Sequence, residues 1–279
     1  MGELLVRHEA VLYGCVWFGG VALAAALESV APRRTPSLPL RARWLRHFAL
    51  ALLDPLVARA VLPLLEVGAA VAAAEAGFGL FHRVDAPRWL AGAASLLALD
   101  AVRYGQHRLL HRVPWLWRVH RMHHTDVDYD FTTAFRFHPL ESLVTASIGV
   151  LAVTALGAPV EAVVANEALF VAASLFAHAN VRLPGGLDRA IRLAVVTPDM
   201  HRIHHSARPE ETDSNYGSVL PVWDRLLGTY VAEPAQGHEA MTVGLPAFRA
   251  PRDRALRWML ANPFLPEPRG PQGSSPSLR

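Results

Sequence analysis

Eight of the fourteen histidines stand in three tight clusters: His107 and His111; His120, His123 and His124; and His201, His204 and His205. The second and third clusters share the pattern H-x-x-H-H. Imidazole is the side chain most often used to hold a transition metal at neutral pH. On an α-helix, residues at i, i+3 and i+4 project from one face, so each cluster offers two or three ring nitrogens together. Eight such rings are too many for one mononuclear site and suit two adjacent ions. Nitrogen-only ligation is compatible with iron, zinc, copper or nickel. Zinc is normally satisfied by four ligands, so a surplus of histidines around two ions with open positions fits redox-active iron better. Two irons can share the electrons needed to activate O2. The single cysteine, Cys15, lies inside an apolar run, which excludes a disulfide framework and a thiolate-ligated site.

The elements that must hold these clusters are apolar. Of 279 residues, 52% are hydrophobic and 18% are charged, against roughly a quarter charged in soluble domains. The mean hydropathy is positive, as expected of a membrane protein. The formal net charge is +3. Lysine is absent, and the arginines sit beside apolar spans, so a membrane surface accounts for them and no nucleic-acid partner is expected. Residues 10–30 are long enough to cross a bilayer core of about 30 Å and read as an anchor rather than a signal peptide. Residues 32–46 read as a proline-bearing basic loop, with Arg33, Arg34, Arg41, Arg43 and Arg46, on the cytoplasmic side. Within residues 48–81, the alanine-rich part from 64 is the better spanning candidate, and the part before it reads as interfacial or kinked. Residues 89–104 are expected to cross back and lead into His107. Residues 143–177, broken near Gly157 and Pro159, predict a hairpin of two short helices that enters and leaves on one side. That parity puts all three clusters on one face of the membrane. Residues 182–230 read as membrane-adjacent and cytosolic, and a Pro-, Gly- and Ser-rich tail reads as disordered from about residue 266.

The residues around the clusters carry a resemblance. Asp100-x-x-x-Tyr104-x-x-His107-Arg108-x-x-His111 is followed by Leu116-Trp117-x-x-His120-x-x-His123-His124. Next come Thr133-Ala134-x-Arg136-x-His138-Pro139-x-Glu141 and His178-x-Asn180. Thr197-Pro198-x-x-His201-Arg202-x-His204-His205 then runs into Asn215-Tyr216-Gly217 and Trp223-Asp224-Arg225-x-x-Gly228-Thr229-Tyr230. In order, spacing and flanking residues, this stretch of about 96–231 resembles the fatty acid hydroxylase / sterol desaturase superfamily. The resemblance implies an all-α integral membrane protein, with about four transmembrane or hairpin helices and a cytosolic histidine-rich cap holding two metals. It implies a non-haem di-iron oxidoreductase that hydroxylates or desaturates a membrane lipid (a sterol, a fatty acyl chain or a related lipid) with O2 as co-substrate. Electrons would come from a separate reductase, ferredoxin or cytochrome. Zinc can stand in for iron in isolated members. The implied ligands are the eight clustered histidines, with His178 as a ninth. The chemistry belongs to the metal centre, with no separate catalytic side chain assigned. His138 matches a further recurrent position and is either a ligand or a residue that supports one.

This reading divides the chain into N-terminal spans (1–95), a catalytic domain (96–231) and a C-terminal segment (232–279). Asp100 could accept a hydrogen bond from a ligand ring or serve as a helix cap, and Asn180 and Asn215 could donate behind the ligands. Asp224 and Arg225 are expected to form a local ion pair. His8, His47, His82 and His238 are expected at the surface or the interface, and Trp115 and Trp117 at the lipid headgroups. Two rival functions fit the same scaffold: a zinc-dependent hydrolase of membrane lipids, and a non-catalytic metal-binding membrane protein.

Overall fold

A computed structural model describes residues 2–84 and 86–266. Apart from two isolated bridges, Pro32 with Val181 and Ser206 with Val243, the described residues are helices and loops. The longer helices are α1 (Gly2–Val30), α2 (Leu40–Val61), α3 (Glu66–Glu75), α4 (Arg88–Arg112), α5 (Pro114–His124), α6 (Pro139–Leu156) and α7 (Val160–His178). Two short helices follow, α8 (Gly185–Ile191) and α9 (Pro198–His204). Among the described residues four segments are long and apolar enough to cross a membrane: His8–Val30, Leu40–His82, Pro139–Leu156 and Val160–His178. Large apolar side chains point outward from them, among them Phe18, Leu23, Leu52, Leu56, Leu151 and Leu169. Exposure on this scale suits a lipid surround rather than water.

The predicted hairpin is present. Helix α6 starts on Pro139 at its first position, behind the His138 ring, which accepts from the Leu140 amide at 3.1 Å. It ends at Gly157, whose φ of 60° is the left-handed cap that glycine adopts without strain. Pro159 then opens α7. Helix α1 packs on α7, α2 on α6, and α4 against α5, α6 and α7. One apolar core joins Val67 and Ala70 of α3 to Leu99, Val153 and Val163; a second joins Ala24 and Leu175 to Phe131 and Phe135. The Glu28 carboxylate near the end of α1 accepts from the amides of Phe131 (2.8 Å) and Asn180 (2.7 Å), tying the membrane part to the cap.

Other expectations are corrected. The alanine-rich stretch after residue 64 makes only the ten-residue α3, about 15 Å of helix and half a bilayer core. The long element is α2, which passes through Pro55 without ending. The basic segment 32–46 is helical from Leu40, and Arg43 is buried rather than solvated. Residues 89–104 belong to α4 but are not among the four apolar spans; Asp100, Arg103 and Gln106 give this helix a polar inward face, while Trp89, Leu97 and Leu109 stay exposed. His47 is buried, held between the Thr132 hydroxyl (2.8 Å) and Arg136 (3.3 Å), and His238 is buried as well. The expected disordered tail lies outside the described residues, apart from its first residue.

Candidate metal centre

Nine histidines from four helices meet at one place. His107 and His111 end α4, His120, His123 and His124 end α5, His178 is the last residue of α7, and His201, His204 and His205 close α9. His111, His123, His124, His178, His201 and His204 lie in the last turns of their helices, where the backbone dipoles present partial negative charge and favour a cation. Prolines fix the phase. Pro114 and Pro198 occupy the first turns of α5 and α9, and the Thr197 hydroxyl caps α9 by accepting from the Met200 amide at 3.4 Å. The histidines then follow at fixed angles around each short helix.

The rings form two groups. His107, His111, His120, His124 and His204 each direct one nitrogen to a common point, as do His123, His178, His201 and His205. Within each group these atoms lie within 4.8 Å of one another. Ring nitrogens face ring nitrogens: His120 and His124 at 3.1 Å, His123 and His178 at 3.2 Å, His178 and His201 at 3.1 Å. The Nε2 atoms of His107, His111 and His204, and both ring nitrogens of His205, are buried without a partner. Burial first, then the neighbouring imidazoles, holds His107 down at about 3 and His111, His123, His124, His201, His204 and His205 well below the ordinary imidazole range. Neutral rings with free lone pairs are the form that binds a metal. Orphaned buried nitrogens are costly without a partner, so this donor set fits two cations.

Comparison with known proteins agrees with this geometry. The family model for fatty acid hydroxylase matches residues 92–229. This region belongs to the fatty acid hydroxylase family. The ornithine lipid hydroxylase OlsE of Rhizobium tropici is 36% identical over 132 residues, 47% of this chain and 39% of that protein. The alkylglycerol monooxygenase of Homo sapiens is 30% identical over 140 residues, 50% of this chain and 30% of that protein. A cholesterol 25-hydroxylase-like protein of Danio rerio is 30% identical over 142 residues, 49% of this chain and 54% of that protein. The matches thus span between about a third and a half of these relatives' lengths. No solved structure matches the chain.

Behind the rings a second layer of contacts fixes their orientation. His107 Nδ1 meets the Tyr216 carbonyl at 2.8 Å, His178 Nδ1 the Ser174 carbonyl at 2.8 Å, and His204 Nδ1 the Ser214 carbonyl at 2.7 Å. His111 Nδ1 lies 3.3 Å from Asp213, and His120 Nδ1 lies 2.6 Å from Glu141. Each contact leaves Nε2 facing the centre, the arrangement that orients a ligating imidazole. The residues singled out for this layer do other work. His138 belongs to neither group; it caps α6 and its Nε2 meets the Leu260 carbonyl at 3.1 Å. Asp100 accepts from Trp223 Nε1 (2.8 Å) and the Leu220 amide (3.3 Å), with no bond to a histidine. Asn180 exchanges hydrogen bonds with the Arg34 backbone, and Asn215 donates to the Met200 and Val231 carbonyls. The expected Asp224–Arg225 pair is absent among the described residues: Asp224 accepts from the amides of Tyr216 and Gly217 and from the Thr229 hydroxyl, and Arg225 donates to the Arg192 carbonyl. Trp115 is exposed, whereas Trp117 lies against His111 and His124.

Residues beyond the family match also buttress the centre. The amides of Gly244 and Leu245 donate to the carbonyls of His205 (2.9 Å) and His124 (3.0 Å), and Met259 packs on Met122 and Leu50. A cavity of about 500 Å³ opens beside the rings, with His107, His120, His123, His178 and His201 in its wall. It runs between the apolar helices and is bounded largely by carbon, with Trp17, Phe135, Phe137 and Phe170 among its walls. Glu141→Ala is expected to weaken metal retention 10- to 100-fold, read by competition with a chelator. Unchanged affinity would mean that the carboxylate does not orient His120.

Proposed function

We propose that this protein is a membrane-lipid hydroxylase whose nine histidines hold two iron ions. His107, His111, His120, His124 and His204 would surround one ion, and His123, His178, His201 and His205 the other. The observation that carries the reading is the pair of buried imidazole groups, with ring nitrogens of His107, His111, His204 and His205 left without a partner, forming one end of a cavity in the membrane part. Iron held there would supply O2 activation and attack on an unactivated C–H bond. The chain's own part is positioning. The aromatic wall holds an alkyl segment against the histidine end and excludes water, and the backbone carbonyls of Ser174, Ser214 and Tyr216 keep the rings in register. Hydroxylation is preferred to desaturation because the three relatives are named for hydroxylation or monooxygenation. Two electrons per turnover would come from a separate reductase, ferredoxin or cytochrome. The histidine end is assigned to the cytoplasmic face on the positive-inside rule, since Arg33, Arg34, Arg112 and Arg118 lie at that level.

The test is oxygen labelling. Iron-loaded protein, an excess of reductase and reductant, and a lipid extract of the host membrane are exposed to 18O2, and the lipids are analysed by mass spectrometry. A lipid gaining one 18O atom is the expected result. Oxygen incorporated from water instead, or release of a hydrolysed lipid without O2, would replace this reading with a zinc-type hydrolase.

A further inference from the structure

The cavity beside the histidines is not a plain hydrocarbon slot. Its wall contains four carboxyl groups, Asp54, Glu66, Glu141 and Glu167, against one guanidinium, Arg103. Two of the four are matched. Glu66 pairs with Arg103 at 3.4 Å, and Glu141 meets His120. The other two are not. Glu167 is met by the Tyr13 hydroxyl and has only another carboxylate, Glu9, as an interacting charge. Asp54 is 9% exposed. Its Oδ2 accepts from the Ser142 hydroxyl at 3.2 Å, its Oδ1 is buried without a partner, and the charge it senses is Glu141. Among the described residues neither carboxylate forms an ion pair with an arginine; their partners are the Ser142 and Tyr13 hydroxyls.

The two lie at different depths. Asp54 is beside Ser142 in the first turn of α6, next to Glu141 and hence at the histidine end. Glu167 is eleven residues before His178 on α7, roughly 16 Å further into the membrane part. Ionisable groups at membrane depth are costly and persist where a partner or a substrate meets them. Carboxyl groups without a cationic partner offer nothing to a fatty acid carboxylate or a phosphate, and are complementary to a cation, which would meet them as carboxylates on binding.

We propose that the Asp54 carboxylate is a specificity subsite for a primary ammonium group, so that the lipid taken by this cavity carries a free amine next to the carbon presented to the histidines. Asp54 Oδ1 accepts one ammonium N–H, the Ser142 hydroxyl turns to offer its oxygen to a second, and the alkyl part runs along the aromatic wall toward Tyr13 and Glu167. The class of substrate is therefore an amino lipid. This deepens the hydroxylase reading and rests on it for its biological meaning, but the subsite is tested by binding alone.

The experiment is a titration of the full-length protein in neutral maltoside micelles at pH 7, without O2 or reductant, followed by tryptophan fluorescence, because Trp17 is part of the wall. The probes are dodecylamine, its neutral counterpart N-dodecylacetamide, and dodecanoate. The amine is expected to bind about tenfold more tightly than the amide, the scale of one charge-assisted hydrogen bond, and dodecanoate more weakly than either. Asp54→Asn is expected to abolish the preference for amine over amide, and Asp54→Glu to keep it. Equal binding of amine and amide, tighter binding of dodecanoate, or an amine preference that survives in Asp54→Asn would each overturn the proposal. If Asp54→Asn does not fold, the three-probe comparison on the native protein decides alone. An amine preference without 18O incorporation would sink the hydroxylase reading and leave the subsite. Incorporation into lipids without an amine preference would do the reverse.

Discussion

Replacing His204 with alanine is expected to remove one of two bound metal equivalents and to bring product formation to background, while the fold persists. His204 is the ring that closes the five-histidine group. It comes from α9, whereas the other four come from α4 and α5, and its centroid lies 4.5 Å from that of His107, 4.7 Å from His111 and 4.6 Å from His124. Its Nδ1 is held by the Ser214 carbonyl and its Nε2 has no protein partner, so a lost ion is the main consequence of its loss. His205→Ala should deplete the four-histidine group in the same way. His138→Ala should leave both equivalents in place, because both nitrogens of that ring already serve the backbone of Leu140 and Leu260. Metal analysis of the purified variants by mass spectrometry, with activity beside it, reads all three. If His204→Ala kept two equivalents at native affinity, the assignment of the rings would be wrong. If His138→Ala lost one, His138 would have to be counted among the ligands.

Arg43→Ala is expected to cost about 3–5 kcal/mol of stability, the penalty for removing one partner of a buried charge cluster. The guanidinium is buried in α2 and serves the loop that follows His124. It forks onto Asp126, with Nε to Oδ1 at 3.1 Å and Nη2 to Oδ2 at 2.5 Å; it also donates to the Asp130 carboxylate, the Asp128 carbonyl and the Thr133 hydroxyl. Burial alone would raise the Asp126 pKa, but Arg43 leads the charges that outweigh it and hold this carboxyl well below the usual range. Without Arg43 two carboxylates are left buried together. The sign in pH follows from the depressed value. The stability that Asp126 contributes is complete above the ordinary carboxylate range and falls as pH drops through and below it; in Arg43→Ala that acid loss should shrink. Arg43→Lys should recover only part of the stability, because an ammonium cannot reproduce the fork. Thermal or denaturant midpoints in detergent measure the series. A shift of Arg43→Ala within about 1 kcal/mol of the native protein would place the cluster among ion pairs of little net worth.

These cases show which parts of the centre a linear reading reaches. Histidines at i, i+3 and i+4 carry their chemistry in side-chain type and local spacing, so three clusters are visible without a fold. The break at Gly157 and Pro159 is visible for the same reason: both residues restrict the backbone where they stand. The carbonyls of Ser174, Ser214 and Tyr216 are invisible because any residue supplies a carbonyl, and only tertiary structure decides which one meets a ring. Glu141 stands 21 positions from His120 and carries no local sign of that pairing. Arg43 misled because a basic residue near prolines reads as a solvated loop, whereas here Asp126 and Asp130, far along the chain, draw it inside. The segment before residue 64 reads as interfacial or kinked, yet α2 continues through Pro55.

The ties from Gly244 and Leu245 to the carbonyls of His205 and His124 set an order of events during synthesis. All nine histidines leave the ribosome before residue 244 does, so a nascent chain presents every ring before the ties to the His124 and His205 carbonyls can form. The centre becomes a finished object only when the C-terminal segment arrives. A chain stopped just after the family-matched region would carry every donor and lack the two backbone ties that close over His124 and His205.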